Sequence, residues 1–185
     1  MNSTPRALVV YESMFGNTEQ IAGAVARGLR LEGIDTGLVE VGSAPVDVGP
    51  EVDLLVVGGP THGFSMSRAS TRQDAVAKGA AADRAGTGIR EWLASVRLDP
   101  HHVPVLAAFD TRVTKVRWLP QAAGPAAGRA ARRRGLSPVA KPVGFLVDDI
   151  SGPLVAHELQ RAVEWGRELG VLLADRLAAQ VTSAG

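Results

Sequence analysis

Short runs of branched apolar residues, each followed by a loop of small residues, constrain this chain more than any other feature. Residues 7–11 and 53–57 show no alternation of polar and apolar side chains. Such runs are typical of strands buried on both faces of a parallel sheet. Parallel strands need crossover connections, which are usually helices. The sequence therefore predicts a three-layer α/β fold with a doubly wound open sheet of five parallel strands.

The remaining elements follow from helix periodicity and from further apolar runs. Ile89, Trp92, Leu93 and Val96 have the spacing of a buried helix face. Asn17 with Gln20 resembles a capping box at the start of an earlier helix. Further strands are predicted at 36–41, at 103–109 and within 139–147, and further helices at 121–134 and from Pro153 onward. No internal repeat or linker interrupts the 185 residues, so we expect a single domain over 1–185.

Composition excludes several functions. The chain has no cysteine and a formal net charge of +1. Disulfides, thiolate metal sites and cysteine nucleophiles are therefore excluded, and nothing indicates a nucleic acid or another polyanion as partner. The apolar runs are much shorter than the roughly 20 residues of a membrane helix, and no signal peptide is evident. We expect a cytoplasmic protein without a membrane span.

The balanced total charge hides an uneven distribution. Residues 1–60 contain eight acidic and three basic residues, whereas residues 110–141 contain one acidic and eight basic residues. The Arg132–Arg134 run falls near a predicted helix end, where cations complement the helix dipole. A solvated helix end is the simple interpretation. The alternative is a surface for an acidic redox partner or for the phosphate of NADPH.

Three loops are the predicted position of a ligand site, because open α/β sheets bind ligands beyond the carboxyl ends of their strands. They are 12–18, 58–65 and 110–120. The first combines Ser13, Gly16, Asn17 and Thr18 with the free N–H groups of a helix amino end. Such groups bind anions, and the helix dipole contributes roughly 0.3–1 kcal/mol. The loop contains no Lys or Arg, so we expect hydroxyls and backbone dipoles to hold a phosphate. The alternative is a plain strand-to-helix turn that binds nothing.

Other known signatures are missing. The first loop lacks the GK[ST] of a nucleotide-triphosphate loop, and the chain contains neither a G-x-G-x-x-G nor a G-x-S-x-G motif. His101 and His102 have no third metal ligand at a useful spacing. We therefore predict no metal site and assign no catalytic side chain.

The loops resemble those of flavodoxin-like FMN proteins. Y-E-S-M-F-G-N-T-E at 11–19 is similar to the phosphate loop of that family, and G-G-P-T-H-G at 58–63 is similar to its second flavin loop. F-D-T-R at 109–112 stands where the third flavin loop belongs. The resemblance implies strand order 2-1-3-4-5, FMN as cofactor and a role in electron transfer. The implied FMN-binding residues are Ser13, Met14, Phe15, Gly16, Asn17, Thr18, Pro60, Thr61, His62, Gly63, Phe64, Asp110, Thr111 and Arg112.

Several differences separate this chain from the acidic electron carriers of the family. Its net charge is near zero, and its second loop offers His62 and Phe64 where those carriers usually place a Trp or Tyr. The third loop has no aromatic residue before Trp118. Arg112 is expected near the pyrimidine side of the flavin, where a positive charge favours the anionic reduced form; a plain surface arginine is the alternative. Residues 65–88 form a longer connection than usual.

Three functions remain open at this point. The first is an FMN-containing electron carrier that docks a redox partner protein, and we rank it above a dedicated enzyme. The second is an FMN-dependent reductase that uses NAD(P)H to reduce quinones or similar small acceptors. In such a reductase, residues 65–88 would serve as a substrate lid, and residues 112–141 would bind the phosphate of NADPH. The third is a flavin-free flavodoxin-fold interaction domain. The sequence leaves the oligomeric state open.

Overall fold

A parallel sheet forms the centre of the molecule in the computed structural model, which describes residues 4–117 and 121–183. The strands in this part of the chain are β1 (Arg6–Tyr11), β2 (Asp35–Glu40), β3 (Asp47–Val48), β4 (Leu54–His62), β5 (Ser65–Met66), β6 (Arg97–Leu98), β7 (Val105–Val113), β8 (Ser137–Pro138) and β9 (Val143–Val147). The main sheet has the order β2-β1-β4-β7, with β8 and β9 both paired to β7, and all these pairs are parallel. The predicted fold class and the order 2-1-3-4-5 are confirmed.

Two short strands share the fifth position of the sheet. β8 pairs with the first residues of β7, and β9 pairs with its second half, where Val113 lies opposite Val147. Because β9 continues the pairing, β7 extends through Val113. The prediction of a loop over 110–120 is therefore wrong for its first residues: Asp110, Thr111 and Arg112 belong to the strand.

The helices cover both faces of the sheet. They are α1 (Asn17–Leu31), α2 (Ala69–Ala77), α3 (Ile89–Ser95), α4 (Ala123–Arg133) and α5 (Glu158–Ser183). α1 and α5 pack on one face, whereas α3 and α4 pack on the other. The predicted helix face of Ile89, Trp92, Leu93 and Val96 is buried. Each such side chain contributes about 1.5–3 kcal/mol by leaving water.

The last helix starts later than the sequence pattern indicates. Pro153 does not begin it, because residues 148–155 first turn back along β9. The Asp148 N–H donates to the Pro153 carbonyl oxygen, and the Val155 N–H donates to that of Leu146. α5 begins only at Glu158. No helix in the described ranges has a stretch both long and apolar enough to cross a bilayer.

Residues 65–88 are ordered into short elements. β5 pairs antiparallel with the end of β4, so that residues 61–66 form a hairpin. α2 follows, and then a 3-10 turn at Ala82–Ala85. Met14 of the loop after β1 packs against Ala75 and Ala80. This segment therefore lies over the loop that the sequence marks as an anion site.

Candidate functional site

The strand ends and loops chosen from the sequence meet in one cleft at the carboxyl edge of the sheet. We call it the first cleft. Ser13, Asn17 and Thr18 reach it from the loop after β1, and Thr61 and Arg112 reach it from β4 and β7. Its complete lining is Ser13, Met14, Phe15, Asn17, Thr18, Pro60, Thr61, His62, Thr111, Arg112, Val113, Val147 and Ile150. The rule about carboxyl strand ends thus locates a real concavity.

The loop before α1 is shaped by a glycine in the left-handed region. Gly16 has φ 85° and is the N-cap of α1, and its N–H donates to Ser13 Oγ at 3.1 Å. Most other residues would be strained at this φ. Asn17 is the first helical residue, so the predicted Asn17–Gln20 capping box is wrong. Instead, Gln20 Nε2 donates to the Gly16 carbonyl oxygen.

The amino end of α1 presents free hydrogen-bond donors. No described residue accepts a hydrogen bond from the backbone N–H of Asn17, Thr18 or Glu19. The Asn17 side chain lies against Gly152, and Thr18 Oγ1 is 2.8 Å from Thr111 Oγ1. Hydroxyl, amide and N–H groups around a helix amino end suit a phosphate.

The prediction of a loop over 58–65 is wrong for most of its residues, because β4 continues through His62 and turns at Gly63 and Phe64 into β5, which starts at Ser65. The two turn residues of this β4–β5 hairpin have positive φ values, 52° for Gly63 and 65° for Phe64, and the Phe64 ring is 46% exposed. His62 Nδ1 lies 3.2 Å from Thr71 Oγ1 of α2. Burial lowers the pKa of His62 below its ordinary value, and the positive charges of Arg72 and Lys78 lower it further. The imidazole is therefore neutral at neutral pH.

Asp110, from the third predicted loop, is the centre of a hydrogen-bond network but does not line the first cleft. Its fully buried carboxylate accepts from Arg112 Nε and Nη2, both at 2.7 Å, and from the Gly124 N–H at 3.0 Å. Thr61 Oγ1 donates to it at 3.3 Å. Burial raises the pKa of Asp110 above its ordinary value, although these donors oppose the shift. Asp110 thus fixes the guanidinium of Arg112, a residue that lines the first cleft.

Val113 lines the first cleft within the predicted loop 110–120 although it was not named from the sequence, and two further lining residues lie outside all three selected loops. Val147 ends β9, and Ile150 follows it with half of its side chain exposed. Both lie at the carboxyl end of the fifth strand position, so the rule that selected the other loops also applied here. Trp118, the first aromatic residue of the third predicted loop, lies outside the described residues.

The basic run does not belong to the site. α4 starts at the carboxyl edge, where the Gly124 N–H meets Asp110, and runs back along the sheet. Arg132–Arg134 precede β8, which pairs with Val105 and Leu106 at the start of β7. This places the run at the opposite edge of the sheet. Arg134 Nη2 donates there to the Val96 carbonyl oxygen.

A second cleft adjoins the first and shares four lining residues with it, Phe15, Thr61, His62 and Ile150. Its other residues come from the hairpin turn and from α2. They are Gly63, Phe64, Thr71, Asp74, Ala75 and Lys78. Segment 65–88 therefore supplies one wall of a concavity that continues the candidate site.

Comparisons with known proteins agree with the fold and with the first half of the sequence. Residues 9–91 match the family model described as flavodoxin. A flavodoxin from the domain Archaea superposes with a TM-score of 0.63 at 19% identity, covering 91% of this chain and 99% of that one. The flavodoxin of Streptococcus pneumonia TIGR4 gives a TM-score of 0.60 at 21% identity, with coverages of 90% and 98%.

A larger protein contains a similar unit. The Flv1 flavodiiron core from Synechocystis sp. PCC6803 superposes with a TM-score of 0.58 at 16% identity, covering 94% of this chain but only 37% of that one. At these identities the likeness concerns the fold. Together with the match over residues 9–91, it confirms the resemblance that the loop motifs indicated.

Proposed function

We propose that this chain, flavodoxin-like in its fold and over residues 9–91 in its sequence, binds FMN and takes part in electron transfer. The observation that carries the proposal is the amino end of α1. Three N–H groups with no described acceptor belong to its first turn, and Asn17 and Thr18 of that turn line the first cleft. A phosphate group is the anion that such a loop accommodates best.

The residues of both clefts fit the chemistry of FMN. Ser13–Thr18 would hold the phosphate with neutral donors. Pro60–Phe64 would border the flavin ring, with Thr111 and Arg112 within reach. When bound, FMN supplies the redox chemistry, and the protein binds and orients it. Donors to the phosphate and a mostly apolar wall for the ring are the features that a cofactor site needs.

The Asp110–Arg112 pair would set the charge near the flavin. Arg112 donates twice to Asp110, so much of its positive charge is compensated, and no described residue accepts from its Nη1. Since Arg112 lines the first cleft, Nη1 is the guanidinium nitrogen that would remain available to a ligand there. Since the guanidinium is held in place before any ligand binds, little ordering would be needed on binding.

We propose an electron carrier rather than an NADPH-dependent reductase. The reductase alternative drew support from the basic segment as a dock for the dinucleotide phosphate. Arg132–Arg134, the densest part of that segment, lie at the sheet edge opposite the clefts, and only Arg112, Lys115 and Arg117 of its basic residues lie at the carboxyl end of β7. An activity assay distinguishes the two functions. Oxidation of NAD(P)H by the protein in the presence of a quinone would identify a reductase.

Titration of the purified protein with FMN tests the proposal. We expect a yellow protein that quenches the fluorescence of FMN. Asn17→Asp should weaken FMN about 10- to 100-fold, roughly 1.4–3 kcal/mol, because it puts a carboxylate beside the phosphate. Riboflavin, which has no phosphate, should bind nearly unchanged. The unliganded variant should fold normally, since an acidic residue in the first helical turn complements the dipole.

Two outcomes would contradict this proposal. A colourless protein that neither quenches FMN nor gains thermal stability from it would exclude FMN binding. Equal weakening of FMN and riboflavin by Asn17→Asp would place the phosphate elsewhere.

A further inference from the structure

Segment 65–88 is fastened at its base by a cluster of Glu12, Ser67 and Arg72, which we call the clamp. Glu12 is buried, and the Ser67 hydroxyl lies beside its carboxyl group. Arg72 is 2% exposed, and its Nη1 donates to Ser67 Oγ at 2.8 Å. Its Nη2 donates to the Gly86 carbonyl oxygen at 2.7 Å. The clamp thus holds both ends of the segment at the end of β1, next to the loop that carries the anion site.

Arg84, from the 3-10 turn of this segment, binds the loop before α1. Its Nη1 donates to the Ser13 carbonyl oxygen at 3.1 Å and to Glu19 Oε2 at 2.8 Å. The Gly16 N–H donates to Ser13 Oγ, so both oxygen atoms of Ser13 accept hydrogen bonds. Arg84 itself lines neither cleft. The backbone of the loop at the anion site is therefore fixed by a side chain that segment 65–88 supplies from outside the clefts.

Glu19 places a negative charge in the first turn of α1, at the helix end that forms the anion site. Its backbone N–H is one of the three donors that have no described acceptor. An acidic side chain in the first turn stabilises a helix, because it complements the positive end of the dipole. A bound anion uses the same end of the dipole, and a carboxylate there repels it. Without compensation, the charge of Glu19 would weaken the binding of a phosphate.

Two side chains bind the carboxylate of Glu19, and one of them is a cation. Oε1 accepts from the Tyr11 hydroxyl at 3.3 Å, and Oε2 accepts from Arg84. The hydrogen bond to Glu19 raises the pKa of Arg84, whereas burial raises the pKa of Tyr11 and the charge of Glu19 raises it further. At neutral pH the guanidinium is therefore charged and the phenol is neutral. Arg84 is the group that cancels the charge of Glu19.

We propose that Arg84 is a positioning residue for the phosphate of FMN: it fixes the Ser13 carbonyl group and cancels the charge of Glu19. This inference rests on the proposed function. The loop 12–18 contains no Lys or Arg, and Arg84 is the cation that the neighbouring segment brings to the base of that loop. Segment 65–88 therefore takes part in phosphate binding without contacting the phosphate.

The variant Arg84→Met tests the inference, because it removes the charge and the donors but keeps an unbranched side chain. We expect it to bind FMN about 5- to 20-fold more weakly than the wild type, since the charge of Glu19 is then uncompensated. Riboflavin, which has no phosphate, should change by less than about twofold. The control Arg27→Met removes an exposed arginine from the same helix, about two turns beyond Glu19, and should bind both flavins like the wild type. Fluorescence quenching measures each affinity.

A double variant separates the charge of Arg84 from its role in holding the chain. Arg84→Met combined with Glu19→Gln removes both charges, and we expect FMN to bind within about threefold of the wild type. The remaining loss is that of the donor to the Ser13 carbonyl oxygen. Glu19→Gln alone leaves Arg84 uncompensated, so it should bind FMN about two- to fivefold more tightly than the wild type, with riboflavin unchanged.

The outcomes distinguish this inference from the proposed function. If Arg84→Met binds FMN like the wild type, or weakens FMN and riboflavin equally, the inference is overturned while FMN binding stands. The same holds if the double variant binds FMN as weakly as Arg84→Met does. If the wild type binds no FMN, the proposed function itself fails. Should Arg84→Met not fold, Glu19→Gln decides, because an unchanged affinity of that variant for FMN would overturn the inference.

Discussion

The loop before α1 and the clamp beneath segment 65–88 lie side by side but use opposite electrostatic means. The loop 12–18 has no basic side chain, and its ligand-facing groups are hydroxyls, an amide and backbone N–H groups. The clamp contains Arg72 and Glu12, two ionisable side chains that are at most 2% exposed. In the loop, neutral groups face the place where a ligand would bind, whereas in the clamp, charged groups hold the chain beside it.

The two regions differ in charge because their backbone groups have different needs. A helix amino end already carries a partial positive charge, so the loop can attract an anion without adding a cation. Segment 65–88 has few apolar side chains to bury, and α2 buries only Arg72 and Ala75. Its carbonyl groups therefore need donors, and the forked guanidinium of Arg72 supplies several at once. Arg84 joins the two regions, because it donates to the loop from the segment.

Removing the buried cation should have the largest effect. Arg72→Met leaves the carbonyl oxygens of Ala85 and Gly86 and the Ser67 hydroxyl without their donor, beside the buried carboxyl of Glu12. We expect a loss of about 3 kcal/mol in the free energy of unfolding, measured with urea. Arg133→Met, at an exposed position of α4, should change it by less than about 0.5 kcal/mol. Similar values for the two variants would show that the clamp is not held by charge.

In the neutral loop before α1, the contact to test is the hydrogen bond between the hydroxyls of Thr18 and Thr111. Thr18→Val leaves the buried Thr111 hydroxyl without its partner, and we expect a loss of about 1–2 kcal/mol. Thr111→Val should cost a similar amount. The double variant should recover part of the loss, because neither hydroxyl is then left unpaired. Strictly additive losses in urea unfolding would show that the two hydroxyls do not stabilise each other.

The smallest expected effect is a pH dependence from the other half of the clamp. Burial raises the pKa of Glu12 above its ordinary value of 4.5. The folded protein therefore holds this proton more tightly, and the stability it gives is present below pH 4.5 and lost as the pH rises through the raised pKa. As the pH rises through the raised pKa, the free energy of unfolding of Glu12→Gln, which cannot ionise, should therefore increase relative to that of the wild type. Urea unfolding at a series of pH values measures it, and parallel curves would contradict the prediction.

Much of the fold could be predicted because the strands are buried on both faces. The runs at 7–11 and 53–57 are short, branched and without alternation, which is typical of central strands, and the spacing of Ile89, Trp92 and Leu93 predicts α3. The ends of elements were less well determined. β7 extends to Val113 because β9 continues to pair with it, and α5 starts at Glu158 because residues 148–155 first pair back. Both depend on contacts between distant segments, which local periodicity does not contain.

The candidate site likewise contains residues that could be predicted from the local sequence and residues that depend on contacts between distant segments. Ser13–Thr18 could be selected from the sequence because a helix amino end and its loop are local. Asp110 was selected too, but its carboxylate faces Arg112 and α4 rather than the first cleft. α2 could not be assigned to the site, since contacts between distant segments, among them those of Arg72 and Arg84, bring it there. A polar, alanine-rich stretch gives no sign of such attachments.

The position of the clamp also bears on how freely segment 65–88 can vary. Because Glu12 contacts both Ser67 and the Ile89 N–H, the segment is a closed loop whose ends meet at one point of the sheet. The entropy of closing such a loop grows slowly, by about 0.6 kcal/mol for each doubling of its length. Provided that the attachments of Arg72 and Arg84 are kept, other residues between the two ends can therefore be inserted, deleted or exchanged at little cost to the sheet. The segment is a module, and replacing it is a route to a differently shaped wall above an unchanged anion site.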